Sequence, residues 1–295
     1  MENIAKCPVC GSGDMVDYLK TKDYFLSQES FGLMKCARCN LVFTNPRPAK
    51  SDLGRYYESD QYLSHHASSW NFQAFVYRFL RRLNIRHKYR QVTKFALKGR
   101  LLDVGSGTGE LLRFFKQNGW DVTGIEPNNS ARNYAISQHD VSVFPESYLS
   151  SLPANSFDVV SMWHVLEHVS DINERIRALS RVLKTEGVLV VALPNIDSWD
   201  ANYYGSYWAA LDVPRHLFHF SPGSFGDFSN RHGFKVVEKI PMKMDAFYVS
   251  LLSEKYKGRG TVLSWVLALI NGFRSNINAY RDQNYSSVIY ILKKK

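Results

Sequence analysis

The chain has 295 residues, 45% hydrophobic and 22% charged, an ordinary make-up for a soluble globular protein with room for one substantial domain and a smaller one. A net charge of +10 and a pI near 9.3 suggest an anionic partner: a phosphorylated small molecule, a nucleic acid or an anionic membrane surface. The residues ahead of Cys7 lack the apolar core of a signal peptide, and the longest apolar run, 262–270, is far short of the roughly 20 residues that span a bilayer; a cytoplasmic location is expected.

All four cysteines fall into two pairs, Cys7-Pro8-Val9-Cys10 and Cys36-Ala37-Arg38-Cys39, separated by 25 residues. In a reducing compartment that pattern points to metal rather than disulfides. Each pair can present two thiolates from one tight turn to a tetrahedral zinc, and four thiolates leave no open position, so the zinc would be structural. Gly11 and Asn40, following the second cysteine of each pair, suit turns that need positive φ. A zinc ribbon is expected over 1–47, closed by Pro46-Arg47-Pro48. The tyrosine-rich stretch 56–62 reads as a linker or cofactor-side lid. From 70 to 98, Phe72, Phe75, Val76, Phe79, Leu80 and Leu83 follow helical spacing among Arg78, Arg81, Arg82, Arg86, Lys88, Arg90, Lys94 and Lys98. Residues 48–98 are therefore expected to form a linker and a basic helical cap, whose charges are either a solvated face or a surface for phosphates or anionic lipid.

The stretch Leu101-Leu102-Asp103-Val104-Gly105-Ser106-Gly107-Thr108-Gly109 reads as a buried strand entering a glycine-rich turn, which opens a helix stopping at Asn118-Gly119. Alternate glycines let the backbone turn sharply and let a ligand lie against it. The dinucleotide fingerprint fails because Glu110 stands where its last glycine belongs, and no Lys-Ser/Thr pair follows to make a P-loop. A second strand, 121–125, ends in Glu126, a carboxylate placed to accept both hydroxyls of a ribose.

A helix over 128–138 and a strand over 141–144 follow, with Glu146 and Ser147 beyond that strand's end. A fourth strand covers 157–163. His164-Val165-Leu166-Glu167-His168 matches H-x-x-E-H, but it begins where a strand ends rather than inside a long helix, which argues against a zinc peptidase. An amphipathic helix over 172–184 leads to a buried strand over 187–193. The aromatic insertion 196–220, with Trp199, Tyr203, Tyr204, Tyr207, Trp208 and Asp212-Val213-Pro214-Arg215-His216-Leu217-Phe218-His219-Phe220, reads as a substrate lid or as a small aromatic core. Ser221 caps a helix running to His232-Gly233, and strands cover 234–240 and 286–292. Between them, 243–285 is an insertion. Its helix over 261–273 carries Leu263, Trp265, Val266, Leu267, Leu269 and Ile270, apolar nearly all round, so it is buried, dimerises or lies on a membrane interface.

Residues 101–109, Gly124-Ile125-Glu126-Pro127, 156–160, Val165-Leu166-Glu167-His168-Val169 and the stretch from Leu183 through Pro194-Asn195 together resemble the class I S-adenosylmethionine-dependent methyltransferases, over roughly two thirds of the chain. The resemblance implies a Rossmann-like α/β fold over 99–295, with a seven-stranded sheet, its last strand antiparallel, and helices on both faces. It implies that S-adenosylmethionine is bound by Asp103, Gly105, Ser106, Gly107, Gly109, Glu126 and Pro127, with Glu146, Ser147 and Trp163 beside it. Methyl transfer to a hydroxyl or carbon acid needs a proton acceptor, and histidine suits neutral pH. His216 and His164 rank above His219, with Arg215 to fix an acidic group of the substrate. The H-x-x-E-H stretch has two readings. Either a divalent ion sits near His164, Glu167 and His168, as in related quinone O-methyltransferases, or His164 faces the substrate while Glu167 and His168 make structural hydrogen bonds.

The leading expectation is O- or C-methylation of an anionic small molecule, resembling zinc-ribbon enzymes that modify nucleotide-linked sugars or glycan precursors. An rRNA base methyltransferase and a non-catalytic zinc-ribbon adaptor are the alternatives; peripheral membrane contact and a homodimer are compatible with either class. Two nucleic-acid chemistries are disfavoured. Every cysteine is committed to the ribbon, leaving no nucleophile for pyrimidine C5, and Ser161-Met162-Trp163-His164 stands where exocyclic-amine enzymes carry Asn/Asp-Pro-Pro-aromatic.

Overall fold

Strand β4 (Arg100–Val104) lies at the heart of the fold in a computed structural model that describes residues 1–57 and 72–295, with side chains described outside 72–81. Leu101, Leu102, Asp103 and Val104 are all buried, as expected of a strand covered on both faces. It pairs in parallel with β5 (Asp121–Ile125) and β7 (Phe157–Trp163), which brings Asp103 level with Gly124 on one side and Ser161 on the other. β5 in turn pairs in parallel with β6 (Ser142–Phe144). With β8 (Leu183–Pro194), β10 (Phe234–Pro241) and β11 (Ser287–Lys294) the sheet has seven strands in the order β10-β11-β8-β7-β4-β5-β6, the last strand in the chain antiparallel. That is the sheet expected from the sequence.

The described residues group into two units. One contains 72–165, Glu174–Val191 and Ile291–Lys295; the other contains 1–57, Leu166–Asn173 and Ala192–Tyr290. In the first, α1 (Phe72–Thr93) precedes the sheet, with Arg82, Arg86 and Arg90 exposed. The expected contributions of Phe72 to Arg81, and of 58–62, lie outside the described side chains. Helix α2 (Glu110–Gln117) buries Leu111, Leu112 and Phe115, and Gly119 takes φ +84 just past its end, as a C-terminal stop requires. Helix α3 (Asn129–His139) begins at Asn128, whose side chain accepts a hydrogen bond from Ala131 N, satisfying one of the amides a helix start leaves open. Helix α4 (Ile172–Val182) stops two residues earlier than expected, and β8 already begins at Leu183.

In the second unit, β1 (Met15–Lys22), β2 (Ser30–Cys36), β3 (Val42–Thr44) and β9 (Phe218–His219) form an antiparallel sheet in that order. β3 pairs Val42 with His219 and Phe43 with Phe218. The cysteine-bearing segment and the aromatic insertion thus share one sheet. Phe31, Leu33, Val42 and Tyr56 pack with Ile196, Tyr204, Trp208, Leu211 and Val213 in a common core. The aromatic stretch is therefore largely interior, although Tyr203 and Tyr207 remain exposed. Helix α5 (Trp199–Tyr204) lies in that stretch, and α6 (Pro222–Arg231) starts from a capping box between Ser221 and Ser224. The insertion after β10 is a hairpin of α7 (Asp245–Tyr256) and α8 (Thr261–Asp282). Helix α8 runs nine residues beyond its expected end, and α7 was not expected at all: its buried positions mix Ala246, Val249 and Leu251 with Ser250, Ser253 and Glu254, which blurs any apolar period.

Candidate functional site

The loop after β4 is shaped by its glycines. Gly105 takes φ +77, and a Cβ there would lie 2.3 Å from Val165 Cγ2; Gly109, at φ +80, would place a Cβ 2.7 Å from that of Ala135. Neither position tolerates a side chain, on grounds of both conformation and space. Gly107 is also left-handed, but a Cβ there would meet nothing within 4 Å, so the loop presents bare backbone to open space. The Gly105 and Ser106 amides are tied to Ile125 O at 2.7 and 3.1 Å, which locks the loop to the end of β5.

Glu126, buried at that end, accepts hydrogen bonds from Gly107 N (2.8 Å) and Asn128 N (2.9 Å), one on each carboxylate oxygen. The two amides fix its orientation, and each oxygen keeps a further lone pair for a hydroxyl. A ribose diol fits this arrangement, and a bare-backbone cradle next to it fits the rest of S-adenosylmethionine. Asp103 is placed differently. Its carboxylate accepts a hydrogen bond from Ser161 Oγ at 2.6 Å, and burial pushes its pKa up to about 6, so it braces β4 against β7. Pro127 is exposed, and its carbonyl, like that of Glu126, accepts from Arg132. Glu146 ion-pairs with Arg175, Ser147 is exposed, and Trp163 is stacked by Lys88 Nζ, 4.5 Å from its ring centroid.

The second unit assembles a different group. Glu167, His168 and His216 place one donor atom each within 4.8 Å of one another. The His168 and His216 rings meet edge to face at 4.5 Å, and His219 lies 6.4 Å from His216. His216 Nδ1 is 2.9 Å from Ala210 O, and His168 Nδ1 is 3.1 Å from Arg215 O. A carbonyl only accepts, so both rings donate from Nδ1, and the neutral form of each has its lone pair on Nε2. The Thr44 hydroxyl donates to His216 O at 2.8 Å, so its contact with His219 Nε2 at 3.2 Å is donated by the ring. Burial, reinforced by His216, depresses the pKa of His168 to about 4 and that of His219 to about 3. Both rings are neutral at pH 7. Glu167, His216 and His219 line a narrow crevice with Trp208, Phe218 and Phe220, too tight for a water molecule. The His168 and His216 imidazoles with the Glu167 carboxylate could hold a divalent cation or accept a proton.

His164 sits at the end of β7 with φ +57, a left-handed conformation that is uncommon for a side-chain-bearing residue and clusters at functional sites.

Arg215 departs from expectation. Its side chain is 1% exposed, and its guanidinium donates to Asp23 (2.8 Å), Asp212 (2.7 Å) and Tyr56 O (3.1 Å). Burial opposes its charge, but the two carboxylates outweigh burial and raise its pKa further, while Asp23 and Asp212 are held below the usual carboxylate range. A guanidinium with these partners is structural, not an anchor for an acidic substrate. Asp23 was given no part in the sequence reading, and Tyr57 (3.2 Å from His168 Nδ1) and Asp212 (3.9 Å from His216 Nε2) entered it only as members of the tyrosine-rich stretch and the aromatic insertion. Only the Asp212–His216 spacing of four residues signalled one of these contacts; Arg215 and His168, which Asp23 and Tyr57 meet, are more than 100 residues away from them along the chain.

The four cysteine sulfurs also converge. Cys7 and Cys39 are 3.5 Å apart, as are Cys10 and Cys36, and all four lie within 4.8 Å. These distances are far beyond a disulfide bond and suit the edges of a thiolate tetrahedron. Gly11 (φ +72) and Asn40 (φ +59) both take the left-handed turn conformation expected of them.

A ubiquinone biosynthesis O-methyltransferase of Rhodopseudomonas palustris (strain HaA2) is 35% identical over 103 residues, which is 32% of this chain and 40% of that protein. One from Haemophilus ducreyi is 33% identical over 123 residues, 38% of this chain and 52% of that protein. The chain therefore spans only about half or less of these relatives. The crystal structure of geranyl diphosphate C-methyltransferase from Streptomyces coelicolor A3(2), in complex with Mg2+, geranyl diphosphate and S-adenosyl-L-homocysteine, covers 78% of this chain and 87% of its own with a TM-score of 0.51; at 14% identity it speaks for the fold alone. A family profile described as "Methyltransferase domain" matches residues 75–239, more than half of the chain. The chain belongs to this methyltransferase domain family, within the class I S-adenosylmethionine-dependent methyltransferases.

Proposed function

We propose that the protein methylates an oxygen of a small molecule, with His216 as the proton acceptor. The observation that carries the reading is the tautomer of His216: its Nδ1 proton is held by Ala210 O, which leaves Nε2 as a base, and Asp212 Oδ2 lies 3.9 Å away to favour the imidazolium once formed. Bound S-adenosylmethionine supplies an electrophilic methyl group on its sulfonium. Glu126 would hold the ribose hydroxyls, and the Gly105–Gly109 backbone would admit the cofactor closely. The relatives' description as O-methyltransferases supports oxygen over carbon. The net charge of +10 supports an anionic acceptor, for which a nucleotide-linked sugar remains the class favoured by the ribbon-bearing enzymes that the sequence resembles. Cys7, Cys10, Cys36 and Cys39 would hold one structural zinc, testable by elemental analysis and by loss of ribbon structure on chelation.

Methyl-transfer assays on a panel of phenolic and nucleotide-linked acceptors, with His216→Ala and His164→Ala alongside the parent, test the reading. His216→Ala should lose about 10²–10⁴ in turnover, the usual contribution of a positioned base, with S-adenosylhomocysteine affinity unchanged. Full activity in His216→Ala would remove the assignment. Affinity for structured RNA falling steeply with salt would favour the rRNA alternative.

A further inference from the structure

Helix α8 is built inside out. The residues it turns inward are Ser264, Ala268, Asn271, Gly272, Ser275 and Ala279, all small or polar. They pack closely: a Cβ on Gly272 would lie 2.4 Å from the Phe247 ring of α7. Hydrogen bonds fasten the same face, Ser275 Oγ donating to Asp200 at 2.8 Å and Asn271 Nδ2 to Tyr204 Oη and Glu254 at 2.9 and 3.0 Å. The large apolar residues point the other way. Val262, Leu263, Trp265, Val266, Leu269, Ile270, Phe273 and Ile277, with Tyr280, are between 42% and 79% exposed. At 3.6 residues per turn they cover an arc of roughly 160°, a continuous face larger than the scattered exposed side chains of an ordinary surface.

The charges around this face select its occupant. From 243 to 282 the chain has six basic residues and three acidic ones, and one of the acids, Glu254, is buried and ion-paired with Arg259 at 2.8 Å. Arg274 and Arg281, both exposed, lie on the helical wheel at one edge of the apolar arc, and Lys255 and Lys257 precede the helix beside Arg259, whose charge Glu254 takes up. Trp265 and Tyr280 carry amphipathic rings of the kind that sits at a lipid–water boundary, and Phe273 adds an apolar one. An anionic bilayer is complementary to these basic residues. No helix among the described residues is long and apolar enough to cross a membrane, so the face can lie on a bilayer but not span it.

We propose that α8 is a membrane-docking helix that seats its outer face in the headgroup region of an anionic bilayer, with Arg274, Arg281 and the lysines that precede it at the lipid phosphates. The inference does not depend on the identity of the methyl acceptor. The test is co-sedimentation of the full chain with vesicles of phosphatidylcholine, with and without phosphatidylglycerol. The chain should sediment with the anionic vesicles, less so at high salt, and stay in solution with neutral ones. Combining Trp265→Ser, Phe273→Ser and Ile277→Ser should weaken the partition about tenfold or more, with the thermal melt and S-adenosylhomocysteine binding unchanged. Arg274→Glu with Arg281→Glu, which leaves the apolar face intact, should weaken it by a similar factor. Failure of the parent to sediment, equal binding to neutral vesicles, or parent-like binding by both variants would overturn the proposal. So would a micromolar dimer that the apolar triple variant dissolves, since that would give the face to a second copy.

Discussion

Helices α4 and α8 are both amphipathic, yet they face the interior with opposite sides. In α4, Ile172, Ile176, Leu179 and Val182 are buried at positions one turn apart, and Glu174, Arg177 and Arg181 are exposed. In α8 the small and polar residues are buried and the apolar ones are outside. The first helix is held by removing apolar area from water, worth about 1.5–3 kcal/mol per fully buried Leu, Ile or Val. The second is held by close packing on glycine and alanine and by hydrogen bonds to buried carboxylates. The contrast teaches that an apolar stripe locates a face without saying whether protein or something else covers it.

The largest expected difference comes from truncating one apolar residue on each helix. Leu179→Ala should cost about 2–5 kcal/mol, while Phe273→Ser should stay within about 0.5 kcal/mol, as exposed positions do; urea unfolding measures both. Equal losses would mean that α8 is covered by protein after all.

Asp200 sharpens the comparison from the other side. Fully buried, it accepts from Trp208 Nε1 (2.8 Å), Ser275 Oγ (2.8 Å) and Ser286 Oγ (2.7 Å). Asp200→Ala strands three donors and should cost about 3 kcal/mol. If it proves neutral, hydrogen bonding is not what holds the inner face of α8. Gly272→Leu should cost about 1–3 kcal/mol by forcing Phe247 aside, and a silent substitution there would show that the hairpin is loosely packed.

The buried polar groups of this unit should also make its stability sensitive to acid. The folded-state pKa values of His168 and His219, about 4 and about 3, lie below the ordinary value of 6.5. The unfolded chain therefore binds more protons than the folded one between those limits, and the stability present above pH 6.5 is lost as pH falls through that window. Asp103, raised to about 6, works in the opposite sense over its own window. The comparison to make is therefore parent against the His168→Gln and His219→Gln variants, melted with chelator present between pH 7 and about pH 4. The parent should lose on the order of 1–3 kcal/mol more than the variants. Parallel pH profiles would show that these histidines are not buried as neutral rings.

Much of the glycine loop and of the placing of Glu126 was legible along the chain because it is local. Gly105, Gly107 and Gly109 need their conformations within five residues, and Glu126 follows directly from the end of the strand that carries it. The zinc-type cysteine pairs and their turn residues are local too. Strand periodicity located the sheet, since a strand buried on both faces is apolar at nearly every position.

Partnership across long separations was not legible. A sequence shows that Arg215 can bind a carboxylate but not that Asp23, 192 residues away, already does. His168 and His216 look like separate motifs until the fold sets their rings 4.5 Å apart. Helix α7 was invisible because its buried positions mix serine and glutamate with apolar residues, and the apolar stripe of α8 was visible with its direction unknown. Local conformational preference and hydrophobic period are properties of a few neighbouring residues, so the sequence by itself determined the sheet, the glycine loop, Glu126 and the cysteine pairs. Which buried charge meets which, and which side of a helix faces inward, depend on the partner that tertiary packing supplies, and only the folded chain decided them.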